Sequence, residues 1–151
     1  MLKQLGAMAL LLVSLAACGG GGSTSGGPYG GVVPGGPTPP PASAPLSTAS
    51  INGSPGFVAA NGHTVYVFDA DLVAPNASQC NAGCSGVWPP VTVAPGTQLP
   101  SPWAMFTRTD GSTQLSYKTR AVYTYSGDTS AGTFNGDGLN VNGGVWHVAR
   151  P

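Results

Sequence analysis

From about residue 55 onward the chain alternates apolar and polar positions with a period of two, the pattern of half-buried or doubly covered strands. Phe57-Val58-Ala59-Ala60, Asn61-Gly62 and Thr64-Val65-Tyr66-Val67-Phe68 together read as a hairpin, because Asn-Gly suits the two positive-φ positions of a type I′ turn. Thr64, Tyr66 and Phe68 fall on one face of the second strand, Val65 and Val67 on the other. Apolar groups on both faces predict a strand covered from both sides. A second hairpin is predicted from Ser112 to Tyr125, where Gln114-Leu115-Ser116-Tyr117 leads through Lys118-Thr119 into Ala121-Val122-Tyr123-Thr124-Tyr125. Nothing in this part shows a 3.6-residue apolar period of helical length, so the predicted fold class is all-β.

The two strand patterns also repeat each other. Val65-Tyr66-Val67-Phe68-Asp69-Ala70-Asp71 and Val122-Tyr123-Thr124-Tyr125-Ser126-Gly127-Asp128 share Val-Tyr-x-aromatic-x-x-Asp at an offset of 57 residues (66 to 123). Gly86-Val87-Trp88 and Gly144-Val145-Trp146 follow at nearly the same offset. Content and order are both repeated, which indicates a duplicated β unit. Two copies are few for an open solenoid, so a small single domain of two repeated hairpin units with pseudo-twofold symmetry is expected.

The N-terminus has a different pattern. Lys3 precedes an apolar run from Leu5 to Leu15, and Leu15-Ala16-Ala17-Cys18 closes it. The run is about 11 residues, roughly half of what a membrane-spanning helix needs, and Gly19 begins a glycine run that blocks its extension. A basic start, a short apolar region and small residues before a cysteine form a lipoprotein signal peptide over residues 1–17. Cys18 is then the acylated first residue of the mature chain. Resemblance to bacterial lipoproteins implies a thioether-linked diacylglycerol and an N-acyl chain, palmitate-type lipid that anchors the protein to a membrane. In Gram-negative lipoproteins an Asp after the cysteine commonly signals inner-membrane retention; Gly19 in that place favours the outer membrane.

Composition divides what remains. Residues 18–49 are dominated by Gly, Pro and Ser, in GGGGSTSGGPYGG and PGGPTPPPASAP. Such a stretch buries too little apolar surface to offset its ordering entropy and reads as a disordered tether, with a reach of roughly 30 Å for about 30 residues. The duplicated β domain is assigned to residues 50–151. With Lys3 removed, four cations (Arg108, Lys118, Arg120, Arg150) stand against five aspartates, a net charge near −1. That balance gives no basic patch for nucleic acid. Glutamate is absent, so no His-Glu-x-x-His motif exists, and the folded part has no Gly-x-Ser-x-Gly elbow. The chain is therefore read as non-enzymatic. The sequons at Asn52-Gly53-Ser54 and Asn76-Ala77-Ser78 are chance matches in a chain with a bacterial lipobox.

Tandem Tyr-x4-Asp units (Tyr66 with Asp71, Tyr123 with Asp128), Cys80-x3-Cys84 followed by Trp88-Pro89-Pro90, and Asp110-Gly111 before the second hairpin resemble the secreted-repeat lipoproteins of unknown function. The resemblance spans residues 55 to 150. It implies fold and location and carries no activity, cofactor or substrate. One departure is Thr119, where the second hairpin of such proteins often has glycine.

The remaining residues support competing readings. Once Cys18 is acylated, Cys80 and Cys84 remain as a pair outside the reducing cytosol, and a disulfide between them is expected. Their spacing is wrong for a thioredoxin-type site, and Ser85 stands where haem attachment needs histidine. The alternative function is metal or redox handling by Cys80 and Cys84 with His63 and His147. Asp71 and Asp128, with Asn135, Asp137, Asn140 and Asn142 in the loop from Phe134 to Gly144, suggest a calcium site; against it, each motif aspartate would cap its own strand in an Asx-turn. Tyr66, Phe68, Trp88, Tyr123, Tyr125 and Trp146 would form either a binding surface for a glycan or flat cofactor, or the core of a small β domain. Their alternation fits the core better. The sequence thus predicts an acylated envelope protein with a structural or binding role, no cofactor, and an envelope protein or glycan as partner.

Overall fold

The computed structural model describes residues 43–151. The signal peptide, Cys18 and most of the tether lie outside the described residues. The elements are β1 (Ser47–Ile51), β2 (Ser54–Val58), β3 (Tyr66–Phe68), a 3-10 helix (Asp69–Val73), α1 (Gly83–Val87), β4 (Trp103–Thr107), β5 (Thr113–Tyr117), β6 (Arg120–Ala121), β7 (Asn140–Val141) and β8 (Gly144–Val148). They form three small antiparallel sheets, β1-β2, β3-β8-β7 and β4-β5-β6. The domain is all-β, as the period-two pattern predicts. β1 begins at Ser47, ahead of the boundary at residue 50 read from composition.

Turn chemistry places the hairpins, and one differs from its prediction. Asn52-Gly53, with φ of 50° and 74°, makes the two-residue type I′ turn between β1 and β2. Asn61-Gly62 does not. There Ala59 N–H donates to His63 O at 2.9 Å and Gly62 N–H to Ala59 O at 2.8 Å, so three residues bridge the flanking pair. Only Gly62 needs the left-handed region (φ 79°), the geometry of a three-residue loop closing on a glycine bulge. The second hairpin forms as predicted: Lys118 and Thr119 take φ of 47° and 68° between β5 and β6.

The two repeats are interwound rather than stacked. Tyr66 and Tyr123 exchange backbone hydrogen bonds at 2.8 and 2.9 Å, which sets the two motif strands antiparallel across the pseudo-twofold axis. Around them the bonds come in matched sets. Phe57 N–H donates to Ala149 O (2.9 Å) where Leu115 N–H donates to Val91 O (2.8 Å). Ala149 N–H donates to Val65 O (2.8 Å) where Val91 N–H donates to Val122 O (3.0 Å). Each repeat's last segment therefore pairs with the other repeat's strands, and neither copy alone satisfies all of its backbone. The symmetry is broken at Trp88-Pro89-Pro90, the counterpart of Trp146-His147-Val148 in β8. Thr124 and Ser126 N–H donate to Pro89 O and Val87 O, both at 2.9 Å, but the prolines return no donor and no regular strand forms.

Two apolar clusters lie on opposite faces of the motif strands. Tyr66, Phe68, Tyr123, Trp88 and Trp146 belong to one, and Val65, Val67, Val122, Phe57, Trp103 and Leu115 to the other. This is the both-sides burial read from the sequence, and it explains how a domain of this size orders so many short strands. Among the described residues no helix is long and apolar enough to cross a membrane.

Candidate functional site

The repeat motifs converge on a stack of four aromatic rings. Trp88 and Trp146 lie face to face at the axis, ring centroids 3.7 Å apart and planes 3° from parallel. Phe68 extends the stack beyond Trp146 at 4.2 Å, and Tyr125 beyond Trp88 at 4.3 Å. Tyr66 and Tyr123 meet the indoles edge-on, Tyr66 against Trp88 at 5.4 Å and Tyr123 against Trp146 at 5.1 Å. Such edge contacts place the positive ring edge on the negative indole face. Phe68, Trp88, Trp146, Tyr66 and Tyr123 are fully buried. These aromatics are the core, and the surface for a glycan or flat cofactor that they could otherwise have formed is not exposed.

The motif aspartates reach across the axis. Tyr66 Oη donates to Asp128 Oδ2 at 2.6 Å, and Tyr123 Oη donates to Asp71 Oδ2 at 2.7 Å. The other oxygens accept backbone amides: Gln79 N–H to Asp71 Oδ1 at 2.7 Å and Asn135 N–H to Asp128 Oδ1 at 2.8 Å. This corrects the Asx-turn reading. The accepted amides lie eight and seven residues downstream, so each aspartate fixes the start of a long loop as well as the tyrosine of the opposite repeat. With both oxygens of both buried carboxylates engaged, the motif aspartates are not poised for calcium; Asp137 is likewise used, accepting Val148 N–H at 2.9 Å.

Burial acts on the acidities. Tyr66 and Tyr123 are driven far above the ordinary phenol range, first by desolvation and then by the adjacent carboxylate. Desolvation also raises Asp71, opposed by the Gln79 amide, the Tyr123 hydroxyl and the charges of Arg120 and Arg108. Both pairs are buried, the aspartates 2–3% and the tyrosines 0% exposed.

Cys80 and Cys84 form a disulfide, with Cα atoms 5.1 Å apart. It ties the buried Cys80 to α1, whose end delivers Trp88 into the stack through a Trp88 N–H bond to Cys84 O (2.9 Å). The predicted alternative of a Cys80, Cys84, His63 and His147 metal or redox site is not built. The thiolates it requires are joined to each other, His147 Nε2 lies 3.1 Å from Asp69, and His63 stands in the turn after Asn61. Among the described residues no group of three or more His, Cys, Asp or Glu side chains converges.

Two features escaped the sequence reading. Arg108 is buried beneath the disulfide loop, with Nη2 donating to Cys80 O at 2.6 Å and Nη1 to Ser78 Oγ at 2.9 Å and to the Gln114 amide oxygen. An isolated Arg after a strand gives no signal of such a role. The second is a cleft of about 270 Å³ beside β8, bordered by Lys118, Arg120 and Arg150, cations far apart in the chain.

A family model described as a secreted repeat of unknown function matches the chain twice, over residues 52–92 and 104–150. The two matches coincide with the two interwound copies. No curated protein and no solved structure matches the chain.

Proposed function

The chain belongs to the family of secreted repeats of unknown function, and from that premise we propose that it is a lipid-anchored envelope protein whose β domain is a binding or structural module. The observation that carries the non-catalytic part is the crossed pair of tyrosine–aspartate bonds. They consume the motif's ionisable groups in a closed core, 0–3% exposed, so the repeated motif builds a scaffold instead of a reaction centre. The Cys80–Cys84 disulfide is consistent with an oxidising compartment. Leu15-Ala16-Ala17-Cys18 supports acylation at Cys18 and a mature chain beginning there, and Gly19 supports the outer membrane of a Gram-negative envelope. On this reading the segment between Cys18 and β1 carries the domain away from the bilayer, and its partner is an envelope component or a ligand reached through that tether.

Fractionation and labelling test the proposal. The wild-type chain should incorporate labelled palmitate and sediment with membranes, whereas Cys18→Ser should take up no label and release a folded, disulfide-containing domain in soluble form. A Cys18→Ser protein that stayed with the membrane would overturn the anchor.

A further inference from the structure

Features shared by the two repeats build the fold; features present in one copy alone are free to do something else. One such difference is the set of cations around the cleft beside β8. Its floor is apolar, formed by Val67, Val148 and the ring of Tyr117, and its rim carries Lys118, Arg120 and Arg150. Of the four cations among the described residues the fourth, Arg108, is buried, so every exposed or half-exposed cation of the domain gathers at this one cavity. The repeat architecture does not require them. At the corresponding positions of the first repeat stand Asn61, His63 and Thr92, which are uncharged or weakly basic.

The rim cations are only partly committed. Arg120 Nη2 bonds Asp69 Oδ1 at 3.0 Å, and its Nε is buried without a hydrogen-bond partner. Arg150 Nη1 donates to Pro55 O at 3.0 Å, which leaves most of its five N–H groups available. The Lys118 ammonium lies 5.0 Å from the centroid of the Tyr117 ring. Asp69 pairs with Arg120 and His147 from outside the lining, so the lining itself carries three cations and no aspartate. An apolar floor with a few convergent charged groups is the usual chemistry of a small-molecule site, and the volume falls just below the range for drug-sized ligands, which suits a compact one.

Resting on the reading of the domain as a binding module, we infer that this cleft binds a small organic monoanion, a carboxylate with a compact apolar or aromatic body. The body would lie on Val67, Val148 and Tyr117, with the carboxylate held by the guanidinium groups of Arg120 and Arg150 and the ammonium of Lys118. Guanidinium forks favour such a group through paired, charge-assisted hydrogen bonds.

The test is titration of the ¹⁵N-labelled full chain with phenylacetate as probe, followed by amide chemical shifts, with 2-phenylethanol and inorganic phosphate as comparisons. Phenylacetate should saturate shifts confined to residues around Lys118, Arg120 and Arg150. It should bind at least tenfold more tightly than either comparison compound. Lys118→Asn, chosen because asparagine suits the left-handed turn position, and Arg150→Gln should each weaken phenylacetate at least threefold. Equal binding of 2-phenylethanol would overturn the role of charge, and equal binding of phosphate the role of the apolar floor. No saturable shift up to about 10 mM probe would overturn the site itself. Because Cys18→Ser release is measured separately, the cleft can fail while the anchored-module reading stands.

Discussion

Tyr66 of the first repeat donates its phenolic hydrogen bond at 2.6 Å to Asp128 of the second, 62 residues away, while the Tyr66 hydroxyl also accepts Gly136 N–H at 3.3 Å. The sequence motif pairs Tyr66 with Asp71; the folded chain pairs it with the aspartate of the other copy. Each Tyr-x4-Asp unit is thus half of two bonds rather than one closed bond, and the duplication is what completes it. A single repeat would bury a tyrosine and an aspartate without partners, which is destabilising enough to require the second copy.

Removing either hydroxyl should therefore cost the whole domain. Tyr66→Phe strands Asp128 Oδ2 and the Gly136 amide, and Tyr123→Phe strands Asp71 Oδ2, whose other neighbour at that hydroxyl is Ser78 Oγ at 2.7 Å from Tyr123. Each variant should lose about 2–3 kcal/mol, the penalty for an unpaired buried charged acceptor. Urea unfolding monitored by tryptophan fluorescence measures it, and a single cooperative transition in both variants would show that the two repeats unfold together.

How far the sequence carried this architecture depends on which interactions are local. Period-two alternation in residues 64–68 placed Tyr66 and Phe68 in one core and Val65 and Val67 in the other, because side-chain direction along a strand depends only on parity. The repeat at an offset of 57 exposed the symmetry, and Cys80 with Cys84 was legible because nothing else in the folded part could pair with either. The crossing of the Tyr–Asp bonds was not legible, since both the local and the crossed pairing give the same motif. Nor was the turn at Asn61-Gly62. Asn-Gly serves two-residue and three-residue loops alike, and the choice was made by the flanking pair Ala59 and His63 together with the β1-β2 hairpin that captured β2. The cleft was invisible because Lys118, Arg120 and Arg150 meet only through the tertiary fold.

Alkaline pH should destabilise the protein through the two buried tyrosines. Their folded pKa values lie above the unfolded value of 10.0, so the folded state holds protons that the unfolded chain releases. The stabilisation is complete below pH 10 and is lost as pH rises above it, each tyrosine adding a slope approaching about 1.4 kcal/mol per pH unit. Spectrophotometric titration should show Tyr66 and Tyr123 ionising only as the domain unfolds, and the steepness above pH 10 should fall by about half in Tyr66→Phe.

Close packing on the ring stack makes two glycines unequal. A Cβ at Gly136 would stand 2.7 Å from Trp88 Cη2 and 3.0 Å from Tyr66 Cε1, rings held in place on both faces. A Cβ at Gly127 would collide even more closely with the ring of Tyr125, but that ring ends the stack and is only half-buried, so it can swing aside. Gly136→Ala should cost about 1–3 kcal/mol by overpacking. Gly127→Ala should cost clearly less and should perturb near-ultraviolet circular dichroism less. Equal losses in the two variants would show that Tyr125 is held as rigidly as Trp88.

Thr119 offers the opposite outcome, a gain in stability. It holds φ at 68° in the two-residue turn between Tyr117 and Arg120, a left-handed conformation that a β-branched residue adopts only under strain. Its side chain is exposed, so nothing in the packing compensates. Relief of the left-handed strain is worth roughly 1–2 kcal/mol, against about 0.5–1 kcal/mol for the added freedom of glycine in the unfolded chain. Thr119→Gly should therefore raise stability by about 0.5–1 kcal/mol, seen as a higher urea midpoint at unchanged slope. The backbone bond from Asn76 N–H to Thr119 O at 2.8 Å uses no side-chain atom and should survive the change. A lower midpoint would mean that the Thr119 side chain contributes more to this turn than its exposure implies.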